Sequence, residues 1–192
     1  IANKEVIFTI VNVDSTSTDV TVTTDSLGKA PVPIVSTKAG RASVTATVEG
    51  TAITVGSPAV VTFVAGEVDF SKSNLAVTKD NAVANGVDEN EVTATLLDSV
   101  DNPIAGRDVI FTIVNVDSTS RTVTVTTDSL GKAPVPIVST EAGTASVTAT
   151  VDGTAITVGS PAVVTFTERA VDFSKSNLAV TKDNAVANGV DE

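Results

Sequence analysis

The sequence predicts an all-β fold: tandem β-sandwich domains in a repeat of about 103 residues. Three observations lead there. The run VIFTIVNVDSTS begins at Val6 and again at Val109, TTDSLGKAPVPIVST at Thr23 and Thr126, and VDFSKSNLAVTKDNAVANGVDE at Val68 and Val171, always 103 residues apart. Val and Thr are abundant, and β-branched side chains suit a pleated surface better than a helix. Apolar and polar residues alternate over short runs that end in Gly, Pro, Asn or Asp, the pattern of strands joined by turns. A period near 100 is too long for a solenoid unit and right for a domain with its own core.

Within one unit each element follows from local pattern. Asn85-Gly86 is a turn. Glu91–Leu97 reads as a strand with Val92, Ala94 and Leu96 on one face. Asp98 to Asn102 reads as a turn before Pro103 rather than a ligand set. Asp108–Asn115 puts Val109, Phe111 and Ile113 on one face, and Val123 and Val125 alternate with Thr122, Thr124 and Thr126. Asp128-Ser129-Leu130-Gly131 is a turn. Pro134 and Pro136 lack donors on the same side, so their strand belongs at a sheet edge. Asp152-Gly153 fits a two-residue type I′ hairpin, which pairs Val151 with Thr154, Ala149 with Ile156 and Val147 with Val158. The first copy has the weaker Glu49-Gly50. Pro161 breaks or bulges the last strand, where Val164 and Phe166 face the core.

The domain reading is a partial repeat over 1–65 that lacks its N-terminal strands, a complete repeat over 66–168, and the N-terminal strand region of a third over 169–192. Two periods would need 14 more residues than the chain has, and the stretch matching Asn90–Pro103 has no earlier counterpart. The opening IANKEVIFTI therefore reads as the interior of a longer array, or else of a subunit completed by its neighbour's tail. Aligning 1–89 on 104–192 leaves 12 differences and no gap. Lys38 becomes Glu141, Arg41 becomes Thr144, Thr18 becomes Arg121 and Asp19 becomes Thr122, which marks solvated positions. Four differences fall together, Val64-Ala65-Gly66-Glu67 against Thr167-Glu168-Arg169-Ala170, so a short linker is expected there. Phe70 and Phe173 lie just past it, as first-strand core or as a packed interdomain joint.

Composition narrows the chemistry. With no Cys and no His there is no disulfide, no Ser-His-Asp triad and no ordinary zinc site. Without Trp or Tyr there is no aromatic platform for sugars or bases. Twelve basic against 23 acidic side chains leave a charge of −11, which opposes nucleic acid and anionic membrane, and no apolar run is long enough to cross a bilayer as a helix. Lys72 and Lys79 are candidate bases for the many hydroxyls, but nothing places them in a pocket, and a polar sheet face is preferred. No catalytic, cofactor-binding or metal-binding residue is assigned. Eight acids lie between Glu67 and Asp101: Glu67, Asp69, Asp80, Asp88, Glu89, Glu91, Asp98 and Asp101. They leave two readings, a loop-end or interdomain calcium site and a solvated acidic surface. The second is favoured, because no Asp-x-Asp-x-Asp-Gly loop is present.

The stretches ANGVDENEVTATLLDSVDNPIAGRDVIFTI, TTDSLGKAPVPIVSTEAGTASVTATVDG and VVTF resemble the bacterial Ig-like repeats of the invasin/intimin family. The likeness includes Asn85-Gly86, Asn102-Pro103-Ile104-Ala105-Gly106, Thr127-Asp128, Gly131-Lys132-Ala133, Ala142-Gly143 and Phe166; Gly159-Ser160-Pro161 departs from it. It implies immunoglobulin-like Greek-key sandwiches on the bacterial surface, as in the stalks of large adhesins. The expected function is a spacer that projects a distal binder and bears tension, with neighbouring repeats of the same chain, or like chains in a fibre, as partners. The alternatives are a self-assembling filament, a virion-decorating subunit, and a weak multivalent binding module.

Overall fold

A computed structural model describes residues 1–179, and every element in it is a strand. The strands are β1 Glu5–Val11, β2 Ser17–Thr23, β3 Gly40–Val48, β4 Thr51–Ala52, β5 Ala59–Phe63, β6 Asn74–Lys79 and β7 Ala82–Val83. They continue as β8 Asn90–Thr95, β9 Asp108–Val114, β10 Ser120–Thr126, β11 Lys132–Ile137, β12 Gly143–Val151, β13 Thr154–Ala155 and β14 Ala162–Thr167.

From β6 onward the strands build a sandwich. One sheet has the order β10-β9-β12-β14-β7, with β13 on β12, and the other has the order β11-β8-β6. Between them pack the faces the alternation marks: Val92, Ala94, Leu96, Val109, Phe111, Ile113, Val147, Ala149, Val151, Val164 and Phe166 are all buried. Val123 and Val125 are partly buried against this core. The proline-bearing β11 is an edge strand, as its missing donors require. Its alternate residues Ala133, Val135 and Ile137 add to the core. The chain changes sheets between β6, which pairs with β8, and β7, which pairs in parallel with β14.

The hairpin differs from expectation beyond its turn. Asp152 and Gly153 have φ of +50° and +80°, as type I′ demands. Val151 does pair with Thr154, and the Ile156 amide donates to the Ala149 carbonyl at 2.9 Å. The pairing of Val147 with Val158 does not occur. Val147 lies opposite Ala162, while Val158 bridges to Asn74 of the other sheet and is 45% exposed. Gly159-Ser160-Pro161 causes the switch, because the strand leaves β12 there and resumes as β14. Gly159 has φ +73°, and a Cβ on it would lie 2.0 Å from the Leu75 carbonyl oxygen, so only glycine allows this crossing.

Residues 1–65 form one sheet, β2-β1-β3-β4 with β5 on β3. Its registers repeat those of the sandwich: Phe8 lies opposite Ala46 as Phe111 lies opposite Ala149. The covering sheet has no counterpart among the described residues. Ile53 is 43% exposed where the matching Ile156 is 1%, and residues 31–36, which match most of β11, carry no strand. A strand's pairing partner thus decides whether the same sequence becomes a strand. Residues 169–179 also carry no strand, and the remainder of the third-repeat region lies outside the described residues.

Two of the 12 sequence differences turn out to be partners. Lys4 bonds Glu49 in the first unit, and Arg107 meets Asp152 at 3.1 Å in the second. The shorter base pairs with the longer acid, then the longer base with the shorter acid. Exposed pairs of this kind are worth about 0–1 kcal/mol, so such exchanges drift freely.

Candidate functional site

The site is the junction between the two units, built by the turn after β8. Asp98 opens that turn and is only 3% exposed. Its Oδ1 accepts from the amides of Val100 and Asn102, both at 2.9 Å, the geometry of an Asx turn. Its Oδ2 accepts from Asn102 Nδ2 at 2.8 Å and from the Gly66 amide in the linker at 2.9 Å. These donors hold the Asp98 carboxyl well below the usual carboxylate range; the Gly66 amide is the main cause, followed by the Asn102 side chain, and together they outweigh burial, which opposes ionisation.

Asn102 carries the contact across. Its Nδ2 also donates to the Thr37 carbonyl at 2.9 Å, and its Oδ1 accepts from the Ala39 amide at 2.9 Å. Both side-chain donors and the side-chain acceptor of this residue, 8% exposed, are therefore used, two of them on the 36–39 turn of the first unit. That turn is held by Ser36, whose Oγ accepts from the Lys38 amide and donates to the Lys38 carbonyl. Gly40 follows it at φ +147°, where a Cβ would strike Val13 at 2.6 Å. The Asp69 amide bonds the Leu97 carbonyl at 2.8 Å, so the linker is tied to the same turn on both sides of Glu67. A single short turn thereby grips both the linker and the preceding unit.

The registers put entry and exit at opposite ends. Asn74 of β6 lies opposite Thr95, the last residue of β8. Thr167, the last residue of β14, lies beside Val83, and Asn90, the first residue of β8, bonds both Ala82 N and Thr165 O at 2.9 Å. The length of β8, about 17 Å at ~3.4 Å per residue, separates the two ends.

The acidic residues singled out in the sequence are dispersed. Asp69 closes its own turn with Ser71, and Asp80 accepts from the Thr165 amide. Glu91 accepts from Thr78, Asp101 pairs with Lys72 at 2.8 Å, and Glu67 faces Arg107. Among the described residues no three acids converge on one point. Phe70 packs, partly buried, on the core of the second unit, whereas the matching Phe173 is 85% exposed. Sequence reasoning recognises Asp98–Asn102 as a turn but misses its grip on residues 37–39. The only local signal is an Asp and an Asn flanking a turn; the linker residue it holds, Gly66, lies 32 residues before Asp98 in the sequence.

Residues 72–167 match the family model of the bacterial Ig-like domain (group 1). The chain is 34% identical over 172 residues to the inverse autotransporter adhesin YeeJ of Escherichia coli (strain K12), covering 88% of this chain and 7% of that protein. It is 32% identical over 180 residues to intimin of Escherichia coli O127:H6 (strain E2348/69 / EPEC), covering 94% of this chain and 19% of that protein. The chain thus spans a small part of these curated relatives. Among solved structures, invasin, a bacterial integrin-binding protein, superposes with a TM-score of 0.53 at 30% identity over 88% of this chain and 33% of that one. InvD of Yersinia pseudotuberculosis shares the fold with a TM-score of 0.67 at 24% identity over 93% of this chain and 51% of that one. The chain belongs to the bacterial Ig-like (group 1) family of the invasin/intimin adhesins.

Proposed function

We propose that this chain is part of the stalk of a long extracellular bacterial adhesin, a run of spacer repeats that projects a distal binding domain and bears tension. The observation that carries the reading is the junction: Asn102 and Asp98 join one unit to the turn of the unit before it and to the linker between them. Entry and exit at opposite ends then string the units lengthwise. Near-identical neighbours suit this role, because reach depends on copy number. The partners are the neighbouring repeats of the same chain, and the place is the cell surface, where the adhesin relatives support it. The joint needs no calcium in this reading, since the Asp98 oxygens already accept four hydrogen bonds.

Small-angle scattering on chains of two, four and eight repeats tests the proposal. The longest dimension should grow linearly, by about 35–45 Å per repeat as expected for a domain of ~100 residues. Growth with the square root of copy number would mean a flexible string and refute a stiff stalk.

One observation favours a second reading, strand-exchanged assembly. The face of the first sheet carrying Phe8, Ile53 and Phe63 is less covered than the matching face of the second unit. Sedimentation decides it: a concentration-independent monomer removes that reading.

A further inference from the structure

We propose that the 139–142 turn of the second unit is a socket for the Asp-x-x-x-Asn turn of a further copy of this repeat. The proposal rests on the spacer reading and names the partner and the atoms. Its precedent lies inside the molecule, because the matching turn, 36–39, holds Asn102 through the Thr37 carbonyl and the Ala39 amide.

The second turn is built alike. The Ser139 Oγ accepts from the Glu141 amide at 3.0 Å and donates to the Glu141 carbonyl at 2.7 Å, as Ser36 does with Lys38. Gly143 follows at φ +146°, over Val116, as Gly40 follows at +147° over Val13. The Thr140 carbonyl and Ala142 amide are therefore presented as those of Thr37 and Ala39 are. Neither has a hydrogen-bond partner among the described residues, and Ala142 is exposed where Ala39 is half-buried.

The socket atoms are main chain, so side chains around them can change without altering recognition. They have changed: Lys38 is Glu141, a full charge reversal between the two gripping atoms. The linker permits the same joint. The position of Gly66 is Arg169 in the next copy. Gly66 has no positive φ, and a Cβ there would meet Asp98 no closer than 3.5 Å, which is ordinary contact. The Cβ of Arg169 is thus accommodated by the same geometry, and the Arg169 amide, which has no acceptor among the described residues, would donate to the incoming carboxylate as Gly66 does. Joints of this type accept any copy after any other.

The test extends the chain beyond Glu192 with the sequence of residues 90–168, which completes a third unit. Amide exchange of Ala39 and Ala142 is then followed by NMR, with scattering on the same samples. Ala142 should exchange at least about tenfold more slowly in the extended chain than in the 192-residue chain, as a new hydrogen bond to a docked side chain implies. Changing the added copy's counterpart of Asn102 to Ala should restore fast exchange at Ala142 and leave Ala39 protected. Lys38→Glu should leave Ala39 protection within about twofold, since only main-chain atoms grip. If Ala142 exchanges equally fast in both chains while Ala39 stays protected and the particle is elongated, the socket is wrong and the spacer reading stands. If Ala39 is also unprotected and the units scatter independently, both fail.

Discussion

Replacing Asn102 with Ala should uncouple the two units while leaving the second unit folded. The substitution removes the bonds to the Thr37 carbonyl and the Ala39 amide, the two that cross the junction. Each is a neutral hydrogen bond worth about 0.5–1.5 kcal/mol net, so the coupling lost is about 1–3 kcal/mol, a roughly 5–150-fold shift toward the undocked state. The second unit keeps its core, because Asn102 lies on its surface turn, and Asp98 keeps three backbone donors, from Gly66, Val100 and Asn102. The bond from Asn102 Nδ2 to Asp98 is lost as well, which lowers the unfolding midpoint of the second unit somewhat. Two readouts separate these effects. Amide exchange at Ala39 and residual dipolar couplings report docking, and thermal unfolding reports the sandwich. Unchanged Ala39 protection with unchanged relative alignment of the units would refute the latch, whatever the midpoint did.

Other expectations follow from the same structure. Phe111→Ala should destabilise the second unit by about 3–5 kcal/mol, read from denaturant midpoints, because Phe111 is fully buried. Phe8→Ala should cost clearly less, since the matching Phe8 is only half-buried. Asp98 should make the junction acid-sensitive. Its folded pKa is lowered from the ordinary carboxylate value. Its contribution is therefore fully present above about pH 4 and is lost as pH falls below that toward the folded value. The stability difference between the wild type and Asp98→Asn should be constant at neutral pH and shrink as pH falls below about 4. A difference that widens in acid would contradict the hydrogen-bonded carboxylate. Gly143→Ala should destabilise by more than about 1 kcal/mol, because φ of +146° and a Cβ only 2.8 Å from Val116 forbid a side chain there; calorimetry measures it.

The strand pattern was legible in the sequence because it is local. Period-two alternation picks out Val92, Ala94 and Leu96 or Val109, Phe111 and Ile113 without reference to any partner, since successive side chains on a strand must point to opposite faces. Asp152-Gly153 announces its turn through the positive φ that both residues tolerate. The prolines of β11 place it at an edge through the donors they lack. The 103-residue offset announces repetition by identity alone.

Tertiary structure decided the rest, wherever one segment meets another far along the chain. Val158 continues the alternation of its strand and still leaves Val147: the chain turns away at Gly159-Ser160-Pro161, and Val158 bridges to Asn74 in the opposite sheet. The PVPIV sequence is a strand in the second unit and not in the first, because only one copy has β8 beside it. Asp98 and Asn102 look like an ordinary turn in sequence. Their role comes from the Thr37 carbonyl and the Ala39 amide, more than sixty residues away. Main-chain groups are the same in every residue but proline, so no side-chain pattern marks which of them will be gripped; only the folded path of the chain brings donor and acceptor within reach.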